Sequence, residues 1–425
     1  MRTVKSLALL EPTALALPIN DVEERLFRYR AQFYQFTVGP NFRYGGAMII
    51  DSPKRPGTRR KAWVLGLALT CTRLSAGPFR PVEPLPAGIV DMHCHIAGLG
   101  ADGSGCFVSP QLQRNWRFHI YLRSFGVSEA ELRRHGDMLV ADRISASVAQ
   151  SRYVSQVVVL ALDGVIGPDG QLDTNRTQVY VPNEFVAAAC ARHTNLLFGA
   201  SVNPLRPDAL ERLERAKAAG AVFVKWLPNI MAFAPDDPRF IPFYKKLVEL
   251  HLPLLSHTGE EKSFCHADED LGDAERLRLP LSLGVTVIAA HLASSERYHG
   301  ERGTDRLARM MGEYPNLYTD ISALTQFNKP AVLREALTRP EFNGRLVYGT
   351  DFPLINTALV SPWYSFHLSW RQKWAIWRTP NPWDRDVLMK HDLGTPTDAF
   401  ARPAQWFARP PAADRAGNAA STARL

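Results

Sequence analysis

The feature that most restricts how this chain can fold is a series of eight short apolar runs, each ending at or beside a polar, mostly ionisable residue. The runs are Ile89–His93, Gln156–Leu162, Leu196–Val202, Ala221–Lys225, Pro253–His257, Thr286–His291, Asn316–Asp320 and Arg345–Asp351. Each is short enough to be a buried strand. Most are separated by amphipathic stretches with helical periodicity: Pro182–Arg192, Pro207–Ala219, Pro242–His251, Asp273–Leu283 and Asp305–Glu313. Gly220 and Gly284 stand where such helices must stop before the next strand. Strands alternating with helices select the α/β class and a parallel sheet, and eight of them close most economically into a (β/α)8 barrel of the TIM type. The first crossover, Arg114–Arg152, is long and reads as largely helical, so a lid or flap beside the barrel mouth is expected there. After Asp351 come an aromatic-rich stretch, Trp363–Trp377, and a helical closing segment, Arg385–Phe407. The near-helical spacing of those aromatics points to helix packing or a subunit contact.

The chemistry-bearing residues fall at the strand ends. Asp91-Met92-His93-Cys94-His95 ends the first run, and His257, His291 and Asp351 end the fifth, sixth and eighth. Side chains alternate across a strand, so an H-x-H pair sets both imidazoles on one face and turns Cys94 away from it. In a parallel barrel every carboxyl end lies at one mouth, so His93, His95, His257, His291 and Asp351 converge there despite their separation in sequence. Any one of these histidines alone reads more simply as a packed imidazole. Their joint placement suits Zn²⁺ or another first-row divalent ion with a position left open for water. The chemistry expected is hydrolysis. Asp351 takes a proton from water activated at the ion and returns it to the leaving group, and His291 serves as a ligand or orients Asp351 or the substrate. Trp226, Asn229, Glu260 and Arg297 follow strand ends and are the candidate substrate contacts, with Asp163, Asn203, Asp320, Glu261 and His266 as further polar residues of the same rim.

The order H-x-H, Lys, His, His, Asp along the strands resembles the amidohydrolase superfamily. The phrases Ser256-His257-Thr258-Gly259-Glu260 and Tyr348-Gly349-Thr350-Asp351-Phe352-Pro353 resemble its amidohydrolase-related branch, which includes the aminocarboxymuconate-semialdehyde decarboxylase-like enzymes. The resemblance spans roughly residues 88–407. It implies that His93, His95, His257, His291 and Asp351 ligate metal, with one ion or two. It leaves Lys225 open. Binuclear members carry a carboxylated lysine at this strand end, and a buried amine can add carbon dioxide; single-metal members keep a lysine there without ligating it, and a cationic lysine would meet a substrate carboxylate or phosphate. The implied reaction is cleavage of an amide, ester, lactone or related bond in a small molecule. A non-oxidative decarboxylase on the same barrel is the alternative, and a non-catalytic metal-binding barrel is the alternative of another class.

Charge argues against a nucleic-acid enzyme. The net charge is +8, but residues 1–87 hold thirteen Lys/Arg against six Asp/Glu, so the remainder is close to neutral. A nucleic-acid cleft would need its positive charge around the site. The domain organisation read from the sequence is therefore an irregular N-terminal extension (1–87), the barrel (88–407) and an Ala/Arg-rich tail (408–425) expected to be disordered. No apolar run is long enough to cross a bilayer. The five cysteines, at 71, 94, 106, 190 and 265, form no CxxC pair and fit neither a disulfide framework nor a structural zinc knuckle. That pattern fits a cytoplasmic protein, with a homo-oligomer allowed. One segment points elsewhere: Lys54, Arg55, Arg59, Arg60 and Lys61 precede the apolar run Ala62–Thr70 and Cys71. This stretch, 54–71, resembles an export or lipoprotein signal, which would be terminal only if translation started near Met48. Ala68-Leu69-Thr70 departs from the small residues such a signal places before its Cys, and a short element packed outside the barrel is the plainer reading.

Overall fold

The computed structural model describes residues 84–294 and 297–407. The N-terminal extension up to residue 83, with its signal-like stretch 54–71, and the tail 408–425 lie outside the described residues.

Eight strands form one parallel sheet in chain order: β1 (Ile89–His95), β2 (Val154–Leu160), β3 (Leu196–Ala200), β4 (Ala221–Trp226), β5 (Leu254–Ser256), β6 (Val287–Ala289), β7 (Leu317–Asp320) and β8 (Leu346–Val347). The ring is completed where β8 returns to β1. Met92 N–H donates to Tyr348 O at 3.3 Å, Asp351 N–H to His93 O at 2.8 Å and His95 N–H to Phe352 O at 2.8 Å. Each of the eight apolar runs of the sequence yields one strand, and the interior is filled by Val90, Met92, Val158, Leu160, Leu197, Phe223, Leu255, Ile288 and Val347. A larger apolar layer lies between strands and helices, and Cys94 belongs to it. These two layers are what a barrel needs: strands buried on both faces, read in sequence as near-continuous hydrophobic runs.

Helices follow the strands as the sequence patterns predict, at Asn183–Arg192, Ala209–Ala218, Ile241–Glu249 and Gly303–Glu313. The Asp273–Leu283 pattern differs: it breaks into a 3-10 turn, Ala274–Leu277, and a short helix, Arg278–Ser282. Pro280 lies inside it and cannot donate the backbone bond that would continue one regular helix. The first crossover holds three helices, α1 (Trp116–Ser124), α2 (Glu129–His135) and α3 (Met138–Ala149). α2 opens with a capping box in which the Ser128 side chain meets the Glu131 backbone and Glu131 reaches back to Ser128. α1 lies against the mouth loops: the Tyr121 hydroxyl donates to Ser263 Oγ at 3.2 Å, and Asn356 Nδ2 donates to Ser124 O at 2.9 Å. The closing segment consists of two helices, Pro382–Asp392 and Thr397–Phe407, and Phe407 packs against Phe223 at the barrel interior with ring centres 5.3 Å apart.

Candidate active site

The register of β1 slips between Asp91 and Cys94. A slip of this kind re-aims side chains. Val90 and Met92 fill the interior below it, while His93 reaches the same interior above it. His93 and His95 then stand together as the H-x-H spacing predicts, their ring centres 5.1 Å apart. Asp91 fixes this corner. One carboxylate oxygen accepts from the backbone N–H of His93 (3.0 Å) and Thr350 (2.9 Å), and the other from the Thr350 hydroxyl (2.5 Å) and Trp383 Nε1 (2.9 Å). The start of the site on β1 and its end after β8 are thus tied by one buried side chain. Gly349 lies in the same junction, where an added Cβ would come 2.9 Å from the Cβ of His93. Only glycine lets the chain pass.

Around His93 the ligand candidates assemble. One donor atom each from His93, His291 and Asp351 lies within 4.8 Å of the others. His95 Nε2 is 3.2 Å from Asp351 Oδ1, and His93 Nε2 is 3.6 Å from the same oxygen. His257 stands one ring further, its centre 5.1 Å from that of His291, and its Nδ1 is 3.7 Å from Glu261 Oε2. Lys225 enters from β4, fully buried, with Nζ 3.1 Å from His93 Nε2. His291 and Asp351 both have left-handed backbone, φ 61° and 64°. Such strain persists where surrounding bonds over-determine it. Here Asp320 Oδ1 accepts from His291 N–H at 2.8 Å, and His93 O accepts from Asp351 N–H at 2.8 Å.

The ring orientations follow from Asp320 and Ser322. Asp320, at the end of β7, accepts from His93 Nδ1–H through Oδ2 at 2.7 Å. The Ser322 hydroxyl donates to Asp320 Oδ1 at 2.5 Å, which leaves its oxygen to accept from His291 Nδ1–H at 2.7 Å. Both imidazoles therefore carry their proton on Nδ1 and turn a lone pair on Nε2 to the cavity, as a metal ligand must. Burial, reinforced by Lys225, pushes His93 down to about 3, so the ring is neutral at pH 7. His257 and His291 are lowered as well, first by burial. Burial also brings Lys225 down to about 8 against the pull of Asp320, Asp351 and Glu261. Asp351 goes the other way: burial would raise it, but the His95 hydrogen bond and the nearby imidazoles outweigh that and hold it ionised. Neutral nitrogen donors beside an ionised carboxylate, with their rings held from behind, fit a divalent cation.

The four residues read as substrate contacts have other partners in the structure. Trp226 follows Lys225 on β4 and so faces the opposite way, buried against Phe233, Phe243 and Tyr244 with Nε1 donating to Val202 O at 2.8 Å. Asn229 is buried and braces loops, its Nδ2 donating to Gly259 O (3.1 Å) and Glu269 Oε2 (3.0 Å). Glu260 pairs with Lys262. Arg297 lies on an exposed two-stranded turn and donates to Gly300 O at 3.0 Å. Asp163 is committed to a buried ion pair with Arg206, 2.6 Å between Oδ1 and Nη2. Of the loop acids, Glu261 rather than Glu260 turns to the histidines. The supporting roles of Asp91 and Ser322 and the reach of Tyr121 were not singled out by the strand-end pattern, because Asp91 precedes the strand end and the other two lie in connections.

A parallel barrel with a histidine and aspartate cluster at the carboxyl ends of its strands defines a class: barrels whose mouth could hold a cation. The amidohydrolase family model matches residues 90–368, well over half of the chain, and the chain belongs to that family. No curated protein matches it. Solved structures similar to it include a TIM-barrel protein from Bordetella bronchiseptica, 15% identical, covering 72% of this chain and 99% of that one at a TM-score of 0.45. The 5-carboxyvanillate decarboxylase of Sphingomonas paucimobilis is 12% identical, with 76% and 99% covered and a TM-score of 0.42. The N-acetyl-D-glucosamine-6-phosphate deacetylase of Mycobacterium smegmatis is 14% identical, with 76% and 77% covered and a TM-score of 0.39.

Proposed function

We propose that the chain is a metal-dependent hydrolase that cleaves an amide, ester or lactone bond in a small molecule. The observation that carries this reading is Asp351, an ionised carboxylate set among His93, His95 and His291 whose side chain, 19% exposed, still reaches the mouth. His93, His291 and Asp351 would hold one divalent ion, with His95 and His257 beside them, and zinc suits this nitrogen-rich set. When bound, such an ion polarises a substrate carbonyl and makes water more acidic.

The protein's own groups do the rest. Asp351 accepts the proton of the attacking water and delivers it to the leaving nitrogen or oxygen. The short contact from His95 fixes which carboxylate oxygen is free to do so. Asp320 and Ser322 keep His93 and His291 from turning, so their lone pairs need no rearrangement before reaction. Lys225 stays an amine in this reading, consistent with its place beside His93 rather than between two carboxylates.

Metal analysis with a panel of amides, esters, lactones and aromatic acids tests the proposal. About one equivalent of zinc and water-dependent cleavage are expected. Carbon dioxide release without uptake of water would transfer the reading to decarboxylation. Asp351→Asn should keep much of the metal and lower turnover by about a hundredfold or more; equal loss of both would overturn the role given to Asp351.

A further inference from the structure

The described residues carry one large aromatic surface that neither the core nor the site uses. Phe366 is 97% exposed, Trp370 71% and Trp377 55%, and Phe327, Tyr364 and Trp374 are exposed beside them. Trp363 links Trp370 to Trp374, its centre 6.5 Å from that of Trp374, and Phe327 and Tyr364 form a separate pair. Trp363 and Trp370 lie with centres 4.8 Å apart, Trp374 and Trp377 5.2 Å, and Phe327 and Tyr364 6.3 Å. Helix Trp370–Trp377, which supports much of it, opens with a capping box between Ser369 and Gln372 and buries only Ile376. Soluble proteins rarely leave aromatics grouped in this way without an occupant.

Position and charge narrow what that occupant is. Phe327 follows β7, and Tyr364 and Phe366 follow β8, and a bridge between Gln326 and Val360 ties the two segments. Segments after barrel strands belong to the mouth face, so the patch and the site share one face. From Phe352 to Trp383 the chain has no Asp or Glu, while it has Arg371, Lys373 and Arg378. Among the described residues no carboxylate forms an ion pair with these three. A second copy meeting the same patch across a two-fold axis would oppose cation to cation. An anionic partner with an apolar interior fits both halves of the composition. Tryptophan and tyrosine favour the lipid headgroup layer, phenylalanine enters beyond it, and basic residues meet acidic headgroups.

We infer that this aromatic and basic rim docks the protein on an anionic lipid bilayer, with the barrel mouth turned toward the membrane. The docking does not depend on the reaction proposed above. Co-sedimentation of the full-length chain with phosphatidylcholine vesicles, with and without phosphatidylserine, tests it. Binding is expected to require phosphatidylserine and to weaken as salt is raised. Two variants made on exposed side chains separate the contributions: Phe366→Ser with Trp370→Ser, and Arg371→Glu with Lys373→Glu. Each should lose roughly tenfold or more in vesicle partitioning with its metal content and circular dichroism unchanged. If the aromatic pair fails to fold, the charge-reversal pair carries the test alone. Binding that is absent, indifferent to phosphatidylserine, or retained in folded variants overturns the inference. So does a dimer in light scattering that either variant converts to monomer, because the patch would then belong to a second copy.

Discussion

Asp320 acts on the cavity without entering it. Both its oxygens are taken, one by His93 Nδ1 and the other by the His291 backbone and Ser322. Outer carboxylates of this kind typically set metal affinity by about tenfold to a hundredfold. Asp320→Ala should therefore weaken zinc binding, measured by calorimetry, by about that factor while the barrel stays folded. The imidazoles also make stability depend on pH. His93, His257 and His291 all sit below their ordinary value, with His93 at about 3. Below about pH 6.5 the unfolded chain binds protons that the folded chain refuses, so folding stability is intact above that pH and falls beneath it. Each such group can contribute up to ~1.4 kcal/mol per pH unit. The urea midpoint of chelator-stripped protein should drop between pH 7 and pH 5, and equal midpoints would contradict the buried neutral rings. At this scale the sequence shows which strand ends carry His93, His95, His257, His291 and Asp351, since a parallel barrel gathers its carboxyl ends at one mouth, but not the slip in β1 or the left-handed backbone that aims His93, His291 and Asp351. The outward turn of Trp226 is legible as well, since the alternation that turns Lys225 inward turns its neighbour outward.

Strand and helix positions are legible because burial on both faces makes a barrel strand a short apolar run, and because Gly220 and Gly284 end helices in left-handed backbone, at φ 91° and 90°. What stays hidden is how the elements are bolted together. The ends of β2 and β3 are clamped by Asp163 and Arg206, both nearly buried, and Asp163 also accepts from the Asn203 backbone at 2.8 Å. Partners 43 residues apart leave no local pattern to read. Removing one partner strands a buried charge, so Asp163→Ala should destabilise the fold by about 3–5 kcal/mol in urea unfolding. A loss no larger than that of an exposed ion pair would mean that water reaches Arg206. The break of the Asp273–Leu283 pattern into two shorter turns has a local cause that was visible in principle, the proline at 280.

At the scale of the barrel, residues at the ends of β1, β4, β5, β6 and β8 meet at one mouth, so a cation held there would support the fold. A ligand bound only by the folded state stabilises it by mass action. Stripping the metal should lower the melting temperature, and restoring zinc should recover it. No helix among the described residues is long and apolar enough to cross a membrane, so the mouth-side aromatic patch would meet a bilayer at its surface. An anomalous difference map recorded at the zinc edge from crystals of the zinc-loaded protein tests the metal site most directly. A peak about 2 Å from His93 Nε2 and from an oxygen of Asp351 is expected. A peak bound by other residues, or none in that triangle while activity persists, would contradict it.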